Sequence, residues 1–473
     1  MSPRRTSQEE DPLPAFPLFF PRWIAWVAIA IVSAPGCRTK PTPTSGASVG
    51  DGGFAGLVFV EDDYDGALGR ARAEHRLLFV DAWAPWCNTC LSMKAFVFGD
   101  PALAPLSSSF VWAEIDTEKP KSEPFLRKFP MKNWPTLWII EPASEKPILK
   151  WAGSVTAGEL VTLLDSATQE SRAEPGTADA TAAWVRGNRA AAEGRRDDAI
   201  RDYHLVLALG GTKWPGRARA ADSLTYQLHA AKRDAECVSV ALDEWPRLPP
   251  GTSRLNIALA ALGCSEGLAK DAPEHAGIAS LAKDATRLAT DPAELVLADD
   301  RSSLFEALVD FYRSSDHDAH DDAQALAVAR RWRDFLDGEA ARAPDARARA
   351  VFDSHRMQAY AAVGEPEKAI PMLQQSERDA PDDYNPPSRL AKVYLGLGRL
   401  DEALATVRRA EAKAYGPRTL RLLSTEADIW LAMKKPKEAK DALLRALALG
   451  EKIELPGGYR DLLARLQAKA DEL

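Results

Sequence analysis

Phe79-Val80-Asp81-Ala82-Trp83-Ala84-Pro85-Trp86-Cys87-Asn88-Thr89-Cys90 is the stretch that decides the fold. The apolar run Leu77-Leu78-Phe79-Val80 predicts a buried strand carrying one acid, Asp81. Leu91 to Phe98 is compatible with a helix, so the two cysteines fall in a first helical turn and can close a small disulfide ring. Cys87 then sits at the positive end of the helix dipole, which lowers a thiol pKa and raises its thiolate fraction. Cys90, one turn further in, is the natural resolving thiol. A bare C-x-x-C is also half of a zinc site. Zinc needs four ligands, and no second C-x-x-C or C-x-x-H completes the set, so the pattern points to redox chemistry without a metal or other cofactor.

The flanking residues add to this. Asp81 precedes Trp86-Cys87-x-x-Cys90, Trp134-Pro135-Thr136 follows, and Gly153 comes after Ile148-Leu149-Lys150-Trp151. In that order they resemble the thioredoxin superfamily, and more closely the C-terminal domain of DsbD-type thiol:disulfide interchange proteins, over about Leu57 to Ala167. The resemblance implies a buried acid at Asp81 and a redox pair at Cys87 and Cys90. It also implies a cis-proline turn at Trp134-Pro135 facing the cysteines, with Trp86, Trp134 and Pro135 on the client side. Leu91 departs from the lysine usual in thioredoxins, and Asn88-Thr89 replaces Gly-Pro; both bear on the redox potential. Asp81 has two readings: a hydrogen-bonded structural acid, or a carboxyl whose raised pKa lets it accept the proton of Cys90. A plain trans proline in a loop is the other reading of Pro135.

With 473 residues the chain is too long for one compact domain. Its 60 Lys and Arg against 68 Asp and Glu leave a net charge of −8, which argues against a broad basic surface for nucleic acid. Ahead of the redox stretch, Arg4, Arg5 and Arg22 precede an apolar run, Trp23 to Val32, that ends in Ser33-Ala34-Pro35-Gly36-Cys37. Residues 1–37 therefore read as an export signal. Small residues before a lone cysteine resemble a bacterial lipoprotein signal, which implies lipidation of Cys37 and a periplasmic or cell-envelope location on a lipid anchor. An uncleaved signal anchor and a buried core segment are the alternatives. Residues 38–53 are a flexible linker by composition.

Residues 54–169 are expected to form the thioredoxin-like domain. Its last helix, Thr156 to Thr168, carries a capping box, Thr156 with Glu159. Residues 170–181 form a second linker, and the alanine-rich remainder, 182–473, predicts helices. There Gly364-x4-Ala369 recurs 34 residues later as Gly398-x4-Ala403, with Tyr360 and Tyr394 each four residues before the glycine. Further copies read at Gly187…Gly194-x4-Ala199-x3-Tyr203 and at Ala427-x2-Trp430…Ala439. These resemble tetratricopeptide repeats, with Gly or Ala where paired helices cross. A copy over Asp222 to Asp243 would place Tyr226 and Ala235 at the matching positions. Between 267 and 344 the pattern cannot be phased. A non-repetitive helical domain is the alternative.

Cys237 and Cys264 fall on consecutive antiparallel helices at similar heights, which in an oxidising compartment predicts a structural disulfide; two unrelated buried cysteines are the other reading. The run Asp316 to Asp322 reads as a solvated acidic loop or an adventitious metal site.

The fold expected is thus an α/β thioredoxin domain followed by an all-α tetratricopeptide-type array. The function expected is thiol–disulfide exchange, in the reducing direction, on client proteins with disulfides. A membrane electron donor would re-reduce the pair, and a protein partner would dock in the repeat groove. The rival reading is a binding scaffold whose thioredoxin-like domain is a redox-sensitive module without turnover.

Overall fold

The computed structural model describes residues 56–172, 179–291, 296–314, 319–453, 455 and 457–473. Cys37 and the signal and linker readings for residues 1–53 lie outside the described residues, as do positions 316–318 of the Asp316 to Asp322 run. Among the described residues no helix is long and apolar enough to cross a membrane.

In chain order the first part comprises β1 (Phe59–Glu61), α1 (Tyr64–Glu74), β2 (Leu77–Trp83) and α2 (Asn88–Phe96). It continues with β3 (Phe110–Asp116), α3 (Glu123–Lys128), β4 (Thr136–Glu141), β5 (Lys146–Ala152) and α4 (Ala157–Arg172). The sheet order is β1-β3-β2-β4-β5. β1, β3 and β2 run parallel, while β4 and β5 run antiparallel. Its centre, β2, is hydrogen-bonded on both edges and covered on both faces, which is why it reads as a nearly continuous apolar run. Alternation along β2 sends Leu78, Val80 and Ala82 into one core with Phe125 and Trp138, and Phe79 into the other with Met93, Phe98, Trp112 and Leu160. By the same alternation Asp81 falls on the Phe79 side, the face covered by α2 and α4. The capping box forms: Thr156 N–H donates to Glu159 Oε2 at 2.9 Å and Glu159 N–H to Thr156 Oγ1 at 3.3 Å.

From Ala180 onward the chain is helical, built as successive hairpins from Ala180–Ala192 with Arg196–Gly210 to Arg418–Ala432 with Pro436–Gly450, and closed by Gly457–Asp471. Five of the hairpins share one turn. Gly194, Lys232, Gly364, Gly398 and Lys434 all take positive φ. In each, the next residue's N–H bonds the carbonyl five residues back, from Arg195 to Ala190, Arg233 to Leu228, Glu365 to Tyr360, Arg399 to Tyr394 and Lys435 to Trp430. This is a left-handed helix end that satisfies an orphan carbonyl and reverses the chain.

The turn corrects the role given above to the repeat glycines. Gly364 and Gly398 do not mark helix crossings; they are turn residues with open space around the Cβ position. The crossing residues lie five positions on, at Ala199, Cys237, Ala369, Ala403 and Ala439, all fully buried. In the second hairpin that position belongs to Cys237, and Ala235, expected there, is exposed. Gly187 does mark a crossing, since a Cβ there would meet the Tyr203 ring at 2.8 Å. From Thr252 to Arg342 the helices Thr252–Ser265, Glu274–Leu288, Ala298–Arg313 and Asp322–Arg342 are joined by longer connections, so the five-residue turn signal is missing.

The array packs on the thioredoxin-like domain at several points. Glu159 Oε1 and Oε2 accept from Thr252 N–H at 2.9 Å and Oγ1 at 2.6 Å, so one carboxylate caps two helices. Tyr226 OH donates to Asn133 Oδ1 at 2.6 Å, Ser154 Oγ to Asp300 Oδ1 at 2.5 Å, and Phe96 stacks on Phe352.

Candidate active site at the Cys87–Cys90 turn

β2 delivers the chain into the turn Ala84-Pro85-Trp86-Cys87, and α2 starts at Asn88. Cys87 is the N-cap, extended at φ −79° and ψ 109°, with its Sγ accepting the Cys90 N–H at 3.0 Å. The two cysteines are bonded, Cα to Cα 5.3 Å. A sulfur at this position faces the unpaired N–H groups of the first turn, which favour an anion there. Cys87 is 5% exposed and Cys90 fully buried, among Ala84, Trp83, Trp86 and Trp134. The Trp134–Pro135 peptide bond is cis.

Asp81 is fully buried, and neither carboxylate oxygen has a hydrogen-bond partner. Burial pushes its pKa up to about 7; Lys94 opposes the rise and Glu114 adds to it. Lys94 is itself buried, bonded to Glu114 Oε2 at 2.6 Å with its Nζ 3.4 Å from the centre of the Trp83 ring. A cation therefore does lie on α2, one turn beyond Leu91. The sequence signal for it was a lysine four residues after Cys90 on the inward side of an amphipathic segment.

Asp81→Asn is expected to raise stability, and more at pH 8 than at pH 5. The folded pKa lies above the unfolded one, so the folded chain holds a proton that the unfolded chain releases. That contribution is complete below the unfolded pKa and is lost as pH rises toward 7, with an upper bound on the order of 4 kcal/mol. Asn does not titrate, so urea midpoints of the two chains should diverge with rising pH. A constant difference would show that Asp81 ionises normally.

The rest of the site comes from the helical array, which sequence reasoning did not place here. Asn385 Nδ2 donates to the Pro85 carbonyl at 3.0 Å, Arg389 to Asn88 Oδ1 at 2.9 Å, and Thr89 Oγ1 to Asp299 Oδ2 at 2.6 Å. Trp86 Nε1 donates to Glu118 Oε1 at 2.9 Å, its ring lies 5.1 Å from that of Trp134, and the Arg418 guanidinium sits 5.1 Å from it. Glu118 also accepts from the Arg418 N–H at 2.7 Å and Tyr459 OH at 3.1 Å. Burial drives the Glu118 pKa up against these donors. Beside it, Tyr415 OH donates to Asp116 Oδ2 at 2.6 Å.

Behind Asp299, His355 Nε2 lies 3.1 Å from Oδ1. Burial would lower the His355 pKa, but the Asp299 and Glu306 carboxylates outweigh it and hold it above its ordinary value.

Away from this turn, Cys237 and Cys264 are bonded, Cα to Cα 6.4 Å, both fully buried. His229 Nδ1 lies 3.1 Å from Cys264 Sγ.

Residues 64–168 match the thioredoxin-like domain family and residues 360–425 a tetratricopeptide repeat family. No curated protein matches the chain. Among solved structures, a tetratricopeptide repeat protein from Parabacteroides merdae is 13% identical, covering 61% of this chain and 98% of its own, with a TM-score of 0.38. The TPR2AB-domain:pHSP90 complex of yeast Sti1 is 16% identical, covering 62% and 98%, with a TM-score of 0.23. A redox-type module and a repeat region of the protein-binding kind thus stand in one polypeptide: the chain is a thioredoxin-like domain followed by tetratricopeptide repeats.

Proposed function

We propose that the chain is an extracytoplasmic thiol–disulfide oxidoreductase working in the reducing direction. The observation that carries this reading is a cysteine pair at the N-terminus of the helix that follows the strand holding a fully buried carboxyl with no hydrogen-bond partner. In the reduced protein the Cys87 thiolate attacks one sulfur of a client disulfide, forming a mixed disulfide and expelling the client's other sulfur as a thiolate. Asp81, with a pKa near neutrality, takes the proton of Cys90. The Cys90 thiolate then attacks Cys87 Sγ, which releases the second client thiolate and leaves the Cys87–Cys90 disulfide. Trp86, Trp134 and Pro135 border the place where the client's sulfur arrives. A membrane electron donor would return the pair to the dithiol. The repeats would hold a client or partner on surface not already used by the thioredoxin-like domain.

Catalysis of insulin disulfide reduction by dithiothreitol tests the reading. Acceleration that depends on Cys87 supports it. The low exposure of Cys87 favours a second reading, a redox-sensitive module without turnover, and an uncatalysed rate with the intact pair would select that instead. The envelope location rests on Cys37 as a lipid anchor; fatty-acid labelling that persists in Cys37→Ala would remove it.

A further inference from the structure

Two residues of the array meet the two residues between the cysteines. Asn88 and Thr89 are the first two residues of α2, and their side chains are tied to Arg389 and Asp299 respectively. The partners carry opposite charges. Asp299 is fully buried at the start of the helix Ala298–Arg313, and Arg389 is half-buried on the helix Asn385–Gly396. Both sit against a helix end whose N-cap is Cys87.

One oxygen of Asp299 accepts from the Thr89 hydroxyl at 2.6 Å, and the other lies 3.1 Å from His355 Nε2. Arg389 carries a fixed positive charge.

Resting on the redox reading above, we propose that Asp299 and Arg389 are positioning residues through which the helical array sets the redox equilibrium of the Cys87–Cys90 pair. Arg389 supports the Cys87 thiolate through Asn88, and Asp299 opposes it through Thr89. The oxidised pair carries no charge, whereas the reduced pair carries the thiolate. A nearby cation therefore stabilises the reduced form and makes the pair more oxidising, and a nearby anion does the reverse. These charges act across a partly desolvated contact, where screening is weak. The sequence between the cysteines is uncharged, and this arrangement gives it a charged environment from more than 200 residues away.

The test is the equilibrium of the full chain with reduced and oxidised glutathione, read at the Cys87–Cys90 peptide by acid quench and mass mapping so that Cys237–Cys264 does not contribute. Thiolate absorbance of Cys87 against pH accompanies it. Arg389→Gln is expected to shift the equilibrium about three- to tenfold toward the disulfide and raise the Cys87 pKa, with tenfold equal to about 30 mV. Asp299→Asn, which keeps an acceptor for Thr89 but removes the charge, is expected to shift both in the opposite direction by a similar factor. Arg389→Lys should restore most of the wild-type equilibrium, because it keeps the charge.

Shifts of the same sign in both variants, or shifts below about twofold, would overturn the inference, since loosened packing alone gives no opposed pair. Should Asp299→Asn not fold, the Arg389→Gln and Arg389→Lys pair decides alone. A wild-type pair that never equilibrates with glutathione would remove the redox reading and this inference together. Normal equilibration with unmoved variants would remove only the inference.

Discussion

Cys90→Ser is expected to arrest the chain as a mixed disulfide with its client, whereas Cys87→Ser should trap nothing and lose all catalysis of insulin reduction. The asymmetry follows from position. Cys87 caps α2, retains some exposure and faces unpaired N–H groups, while Cys90 is enclosed one turn in, where no client sulfur reaches it. Removing the nucleophile stops the first bond from forming. Removing the resolving thiol lets that bond form and leaves nothing to break it. Non-reducing electrophoresis with mass identification of the Cys87 adduct reads the result. Equal trapping by both variants would reverse or abolish the assignment. Cys237 and Cys264 are bonded elsewhere in both chains, so an adduct on either would also count against it.

The second large effect is expected at Gly416. Its φ is +58°, and a Cβ there would stand 2.0 Å from the Glu118 carbonyl oxygen, a backbone atom. Gly416→Ala must move the loop that carries Tyr415 and Arg418. That loop makes the bonds to Asp116 and Glu118 and places the guanidinium on Trp86. Left-handed strain costs about 1–2 kcal/mol and overpacking about 1–3, with more from buried carboxylates that lose donors. A loss of about 3–5 kcal/mol in urea denaturation is the expected outcome, together with faster alkylation of Cys87 in the reduced protein. Gly364→Ala is the control. Its φ is +78° but nothing lies within 4 Å of the added Cβ, so only the backbone term of about 1–2 kcal/mol applies. Equal losses at the two positions would mean that the contact with Glu118 is not under load.

What the sequence made legible was local. The strand, the C-x-x-C turn, the cis-proline segment and the Thr156–Glu159 capping box each depend on residues a few positions apart. The repeat period was legible for the same reason, since Gly364 and Gly398 recur at identical spacing in turns of identical geometry. The role first given to those glycines was wrong because periodicity reports a recurring position and not its conformation; a left-handed turn and a helix crossing both select glycine. The copy with Lys232 at the turn was misplaced by two residues, onto Ala235 instead of Cys237, because a lysine in that conformation has no signature of its own.

The walls of the site were not legible at all. Asp299 follows Ala298 and precedes Asp300, an unremarkable acidic start to a helix, and Arg389 sits between Ser388 and Leu390 on another. Their contacts to Thr89 and Asn88 close loops of 210 and 301 residues. Nothing in residue type or spacing encodes such a pairing; it exists only once the array is wrapped onto the sheet.

The shared construction of the turn also limits how freely its parts can be exchanged. A Gly-Pro pair in place of Asn88-Thr89 would supply neither the amide oxygen that Arg389 donates to nor the hydroxyl that Asp299 accepts from, and would leave a buried carboxylate short of a donor. The two residues between the cysteines thus serve as a seam between folding units as well as part of the redox centre. Drift at either seam position is constrained from more than 200 residues away, so a domain-swapped chimera would inherit a mismatch inside its own active site.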